Sequence, residues 1–278
     1  MNGRPLPETL RNEYLACLAR WPVPGEQLTV ATRQGDTFVM ACGNESAPPV
    51  VLLHGALANA ASWMFDAAAW SEAFRVYVVD VIGEPGLSAP SHPRLDSDAW
   101  ACWLDDVLDG LGLAHASFVG MSFGGWIALD YARRRPGRVS RLALLCPAGI
   151  GKQKAFLWKA LPLLLLGSWG ASRIRSMVMG PQPVDLPEDV SQLMTFLQRL
   201  RTSVKPRPMR IPRLSDDALR DMGMPVLAIA GDRDVLLDSR ETMARISALV
   251  QRGTVHMVKA GYHYLPGQRG RIRAFLST

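Results

Sequence analysis

Four cysteines in 278 residues are too few and too scattered to organise this protein around disulfides or a metal. Cys17, Cys42, Cys102 and Cys146 show no ligand spacing and nothing of the density of a small secreted scaffold. Reduced thiols and a cytoplasmic location are therefore expected. The N-terminal MNGRPLPETLRNEYLACLARW has no apolar core ahead of a small-residue cleavage site, so no secretory leader is expected. Long apolar runs are also missing. The one block that approaches a span, FLWKALPLLLLGSWG over 156–170, is broken by Lys159 and Pro162 and falls short of the ~20 residues a membrane helix needs. Stable membrane insertion is not expected.

Charge of one sign is scarce outside a single segment. The formal net charge is +6, and residues 148–224 hold all of the excess, with twelve Lys and Arg against six Asp and Glu. The rest of the chain balances. No helix-turn-helix, zinc-finger or aromatic RNA-binding pattern accompanies the basic segment, so a nucleic-acid partner is not expected. Arginines on a solvated helical face account for the excess, although an anionic substrate would also be favoured there.

What the chain does have is a 48% hydrophobic composition, enough for a sizeable core. A helix is predicted over Glu8–Arg20, ending at the breaker-rich WPVPGE. The stretch QLTVATRQGDTFVMACG then reads as an antiparallel hairpin turning at Gln34–Asp36. Six short runs rich in Val, Leu and Ile follow: Pro49–Leu53, Arg75–Asp80, Ala116–Met121, Val139–Cys146, Pro225–Gly231 and Thr254–Lys259. Their weak alternation is that of strands covered on both faces. Helical patterns over Asp96–Leu111, Phe123–Arg135, Ser239–Leu249 and Gly267–Leu276 separate most of them. The alternation predicts an α/β fold with a mainly parallel sheet flanked by helices. Residues 148–224 far exceed a crossover connection and hold seven prolines and the helical EDVSQLMTFLQRL. They are expected to form an inserted helical cap on a main domain made of 1–147 and 225–278.

The stretch VGMSFGG, residues 119–125, carries the chemistry. Gly120-Met121-Ser122-Phe123-Gly124 is G-x-S-x-G, and it falls between a predicted strand and a predicted helix. A turn sharp enough to push the serine Oγ outward leaves no room for side chains two residues either side, and the following helix N-terminus offers free N–H groups. Ser122 is therefore a candidate nucleophile; a glycine-relieved packing turn is the plainer alternative.

A serine needs a base. His92 and His115 lie in loops, His256 lies within a strand, and His54 opens a loop that it is expected to shape. His263, in AGYHYLP, lies between the last strand and the last helix, on the carboxyl edge of the sheet with Ser122. The orienting acid should come from AGDRDVLLD, where Asp232, Asp234 and Asp238 all qualify. The order Ser, Asp, His along the chain suits this arrangement. An oxyanion would need two backbone N–H donors, expected from Phe123 and, after VVLLHG, from Ala56.

Taken together, VVLLHGA, VVDVIGEPGLSAP, GMSFGGW, AGDRDV and AGYHYLP resemble the α/β-hydrolase superfamily nearly end to end. YLACLARWPVP, the hairpin and VVDVIGEPGLS resemble more specifically its naproxen-type carboxylesterase branch, with an added N-terminal helix. The resemblance implies Ser122 as nucleophile, Asp234 as acid, His263 as base and Ala56 with Phe123 as the oxyanion hole. It implies no metal and no organic cofactor, and a small-molecule ester as partner, cleaved through an acyl-enzyme. A serine at the elbow disfavours the branches that need a carboxylate nucleophile. Two departures stand out: Tyr262 precedes His263 where relatives usually have glycine, and HGA lacks the HGGG of lipases. The insertion is expected to set an apolar or aromatic pocket, with Leu57, Trp158, Leu161, Met177, Phe196 and Tyr262 as candidate lining. Acyl transfer, thioester or C–C bond hydrolysis, and a non-catalytic binding role remain open, as does oligomeric state.

Overall fold

The computed structural model describes residues 6–278 except 157–159, 161, 164, 182–184, 205–206 and 208. Eight strands form one sheet: β1 Gly25–Val30, β2 Thr37–Cys42, β3 Pro49–Leu53, β4 Arg75–Val79, β5 Ala116–Met121, β6 Val139–Leu145, β7 Val226–Gly231 and β8 Gly253–Val258. Their order is β1-β2-β4-β3-β5-β6-β7-β8. β2 runs antiparallel to both β1 and β4, and every later pairing is parallel. The hairpin closes with Val30 opposite Thr37.

The helices are α1 Glu8–Ala19, α2 Met64–Trp70, α3 Ala99–Gly110, α4 Phe123–Arg134, α5 Gly167–Met179, α6 Glu188–Ser203, α7 Asp216–Arg220, α8 Ser239–Leu249 and α9 Arg269–Ser277. The region between β6 and β7 contains α5, α6 and α7. α2 and the 3-10 turn Ala60–Trp63 before it fall where the sequence pattern offers no helix. Ala60, Ala61 and Ala67 are fully buried there, so the segment has no polar face to produce a periodicity. Among the described residues, no helix is long and apolar enough to cross a membrane.

β3 to β6 are apolar because both faces are covered: every residue of β4 is buried, and β3 is buried from Val50 onward. Aromatic packing then fixes the helix that follows β5. The Phe123 ring stacks on Trp126 at 5.8 Å and meets Trp100 of α3 edge-on at 5.4 Å. Trp126 Nε1 donates to the Pro212 carbonyl at 3.1 Å, which ties α4 to the chain returning from the insertion. Aromatic pairs of this geometry contribute about 0.5–1.5 kcal/mol each beyond their buried area.

The N-terminal helix is bound at both ends of its reach. The Tyr14 hydroxyl donates to Asp80 Oδ1 at 2.8 Å, and its ring stacks on Phe196 of α6 at 5.9 Å. Glu13 pairs with Arg199 of the same helix at 2.8 Å, and Arg20 bonds Gln192. α1 thus joins the loop after β4 to the insertion.

Candidate active site

Ser122 lies between β5 and α4 with φ 52° and ψ −108°, a conformation that L residues rarely hold. Its N–H donates to the Leu145 carbonyl at 2.9 Å, and its carbonyl accepts from Trp126 and Ala148. The glycines are required by contact. A Cβ on Gly120 would lie 2.6 Å from the Gly124 carbonyl oxygen, and one on Gly124 would lie 2.3 Å from the carbonyl oxygen of Leu53. The helix is pressed onto the ends of β3 and β5 so closely that only hydrogens fit, and this lifts Ser122 above the sheet edge.

His263 and Asp234 reach the same edge from the loops after β8 and β7. Gly231 makes their meeting possible: a Cβ there would lie 2.2 Å from the Gly261 carbonyl oxygen. The two loops are further joined by Arg233 N–H donating to Gly261 at 2.8 Å. His263 Nε2 lies 2.9 Å from Ser122 Oγ, and His263 Nδ1 lies 2.8 Å from Asp234 Oδ2. The other carboxylate oxygen, Oδ1, accepts from the N–H groups of Leu236 at 2.8 Å and Leu237 at 3.1 Å. Burial alone would raise the Asp234 carboxyl. The hydrogen bond and charge of His263 and these two N–H groups outweigh it and hold the group below its ordinary range.

The other two aspartates of that loop are placed differently: Asp232 is exposed, and Asp238 caps α8 by accepting from Glu241 N–H. The segment between β6 and β7 also touches this histidine. His263 N–H donates to the Val178 carbonyl at 3.0 Å, and the Tyr262 ring packs on Gly180, where a Cβ would sit 2.6 Å from Cδ2.

The loop after β3 passes beside the serine. A Cβ on Gly55 would lie 3.5 Å from Ser122 Cβ. Among the described residues, neither Ala56 N–H nor Phe123 N–H has a hydrogen-bond partner, and Ala56 is open to solvent. His54 shapes this loop from within. Val81 N–H donates to its Nε2 at 2.9 Å, which leaves the proton on Nδ1, facing the Gly55 carbonyl at 2.9 Å. Burial lowers its pKa to about 4, so the ring is neutral.

A measurable pH dependence follows. An unfolded histidine takes up its proton near 6.5, whereas the folded His54 does so only near 4, so its stabilising contribution is present above 6.5 and is lost as pH falls towards 4. Asp80, raised to about 6 by burial, works in the opposite direction over an overlapping range, so the wild type alone would mislead. The unfolding free energy of wild type relative to His54→Gln should shrink by on the order of 3 kcal/mol between pH 7 and pH 4. A pH-independent difference would show that His54 is not held neutral.

Of the candidate lining residues, Leu57, Met177 and Tyr262 are half-buried. Phe196 is 4% exposed, with one ring face against Tyr14. Trp158 and Leu161 lie outside the described residues. Sequence reasoning passed over Cys146, whose thiol faces the Tyr262 carbonyl at 3.8 Å, and Glu84, whose carboxylate accepts from Leu57 N–H at 2.7 Å. Among the described residues, the one cluster of three potential metal ligands is Cys146, Asp234 and His263, with ligand atoms within 4.8 Å of one another. Burial, reinforced by the Asp234 charge, pushes the thiol well up and keeps it protonated. Within this cluster, Asp234 and His263 are already joined to each other at 2.8 Å.

Comparison with known proteins agrees with this geometry. The model of the alpha/beta hydrolase family matches residues 50–273. The chain belongs to that family. It is 32% identical over 255 residues to an uncharacterised carboxylesterase, nap, of Bacillus subtilis, covering 91% of this chain and 85% of that protein. Carboxylesterase YbfK of the same organism is 32% identical over 260 residues, covering 91% and 86%. The crystal structure of B. subtilis naproxen esterase superposes with a TM-score of 0.81 over 98% of each chain, at 30% identity. The resemblance to the naproxen-type branch therefore holds, and the chain has the α/β-hydrolase fold with a mainly parallel eight-stranded sheet.

Proposed function

We propose that this alpha/beta hydrolase is a carboxylesterase that cleaves small to medium apolar or aromatic esters through an acyl-enzyme on Ser122. The observation that carries the reading is the unbroken chain from Ser122 Oγ to His263 Nε2 at 2.9 Å and from His263 Nδ1 to Asp234 Oδ2 at 2.8 Å. Such a relay moves one proton. His263 takes it from Ser122 as Oγ attacks the ester carbonyl, and Asp234 stabilises the imidazolium that forms. The oxyanion is held by the free N–H groups of Ala56 and Phe123, each typically contributing ~10²–10³ in rate. His263 then protonates the leaving alcohol, and a water deprotonated by the same ring releases the acid.

The insertion acts as a cap. Val178 and Gly180 at the end of α5 contact the residues flanking the base, so the cap borders the space that an acyl group would fill. The naming of the two B. subtilis relatives as carboxylesterases supports the ester as substrate class.

The test uses a fluorophosphonate probe on wild type and Ser122→Ala, alongside hydrolysis of p-nitrophenyl acetate and butyrate. Labelling and turnover are both expected for wild type and absent from Ser122→Ala. Because alanine keeps the β-carbon, the variant removes the nucleophile without altering the turn. A wild type that neither labels nor hydrolyses either ester overturns the reading.

A further inference from the structure

The loop carrying Ala56 is held in an unfavourable shape. Leu57 has φ 57°, a left-handed conformation that a branched aliphatic side chain disfavours and that persists only when its surroundings enforce it. The enforcement comes from the loop after β4. Asn59 Nδ2 donates to the Pro85 carbonyl at 3.1 Å, and Ala60 N–H donates to Asp80 Oδ1 at 2.7 Å. Nearest to Ala56, Leu57 N–H donates to Glu84 Oε2 at 2.7 Å. Glu84 is aimed by a tight turn of its own, with its N–H on the Val81 carbonyl at 3.1 Å and its carbonyl accepting from Gly86 at 2.8 Å. Among the described residues its other carboxylate oxygen has no hydrogen-bond partner, so the bond to Leu57 N–H is the hydrogen bond this part-buried carboxylate makes.

We infer that Glu84 is a positioning residue for the oxyanion hole: its carboxylate clamps Leu57 N–H and thereby keeps the neighbouring Ala56 N–H free and fixed beside Ser122. The inference rests on the esterase reading for its kinetic consequence but not for its structural one. Leu57 N–H is taken by Glu84, and the adjacent Ala56 N–H, exposed and without a partner among the described residues, is the neighbouring donor that can turn to substrate. A donor contributes to a transition state only if it is already in place when charge develops, because reorienting it costs what the bond would gain. Burial raises the Glu84 carboxyl to about 7, with Leu57 N–H and Arg207 pulling it down. Keeping a carboxylate in so unfavourable a setting is consistent with a positional duty.

Glu84→Ala, Glu84→Gln and Glu84→Asp separate the clamp from its charge. Glutamine retains an acceptor oxygen of the right reach, alanine has none, and aspartate falls one methylene short. With p-nitrophenyl butyrate, Glu84→Ala is expected to lower kcat by about 10- to 100-fold with KM changed by less than about 2-fold, part of the loss of one oxyanion donor. Glu84→Gln should stay within about 3-fold of wild type, since the bond it keeps is to the same N–H. Glu84→Asp should fall between them, and it keeps the test available where the alanine variant does not fold. Amide hydrogen exchange of peptides covering 54–60 is measured on the same proteins. Faster exchange in the alanine variant, restored to the wild-type rate in the glutamine variant, supports the clamp even if wild type hydrolyses no ester. Wild-type kcat in Glu84→Ala, a glutamine variant as impaired as the alanine one, or exchange that does not respond to residue 84 would overturn it.

Discussion

Asp234→Asn should cut kcat by on the order of 10⁴ while leaving the fold intact, and the reason lies in which way the new amide must face. Asp234 uses both oxygens: Oδ1 accepts two backbone N–H groups, from Leu236 and Leu237, and Oδ2 accepts from His263 Nδ1. An asparagine has one acceptor and one donor end. Turning its NH₂ towards Leu236 and Leu237 would oppose a donor to two donors in a buried place, so the carbonyl oxygen takes that position. The NH₂ is then left against His263 Nδ1. Nδ1 must become the acceptor, the ring proton moves to Nε2, and Nε2 can no longer take the proton from Ser122 Oγ. The side chain changes neither size nor shape, and its two backbone bonds survive, so thermal stability and KM should change little. The check is kcat and KM with p-nitrophenyl butyrate beside a melting curve, with Ser122→Ala as the floor. Asp234→Asn activity within 10-fold of wild type would move the acid elsewhere, to exposed Asp232 or helix-capping Asp238.

The same loop shows where a sequence stops informing. Three aspartates of AGDRDVLLD suit the carboxyl edge equally well, and resemblance alone singled out Asp234. What separates them is the pressing of Gly231 against Gly261, a contact between loops that no local pattern encodes. Ser122 and His263 were legible because each stands at a strand end, and the strands were legible because double burial makes them plainly apolar. Pro49–Leu53, Ala116–Met121 and Ser239–Leu249 begin and end where the pattern places them. α2 was not, since buried alanines carry no amphipathic signal. The bonds from Tyr14 to Asp80, 66 residues on, and from Leu57 to Glu84, 27 residues on, were invisible for a related reason. Each residue reads singly as an ordinary helix or turn position, and only the crossing of β3, β4 and α1 gives the pair its meaning.

Gly124→Ala should be a severely damaging single-methyl addition at the elbow. The added carbon would stand 2.3 Å from the Leu53 carbonyl oxygen, 2.5 Å from that of His54 and 2.6 Å from the Leu53 carbonyl carbon. All three are backbone atoms. They belong to Leu53, at the end of β3, and to His54 directly after it; β3 is hydrogen-bonded between β4 and β5, so this backbone cannot swing aside as a side chain would. Relief has to come from α4, but α4 is fixed by Phe123 and Trp126 packed against Trp100. Moving it opens that aromatic cluster, and tilting it carries Ser122 away from His263. Overpacking of a rigid site usually costs about 1–3 kcal/mol, and a clash with no flexible partner belongs at or above the upper end. A loss of about 3–5 kcal/mol is expected, along with at least a ~10²-fold fall in kcat for whatever folds, since a displacement of about an ångström at the nucleophile is enough for that. Gly125→Ala is the internal control. Its new carbon would meet the Gly120 carbonyl oxygen and Pro147 Cβ at 3.2 Å, a crowding of a few tenths of an ångström, and should cost about 1 kcal/mol. Urea unfolding of the two variants beside wild type decides the matter. Equal, small losses in both would mean that the elbow is not wedged against β3, and that the strained Ser122 backbone is held by something other than this contact.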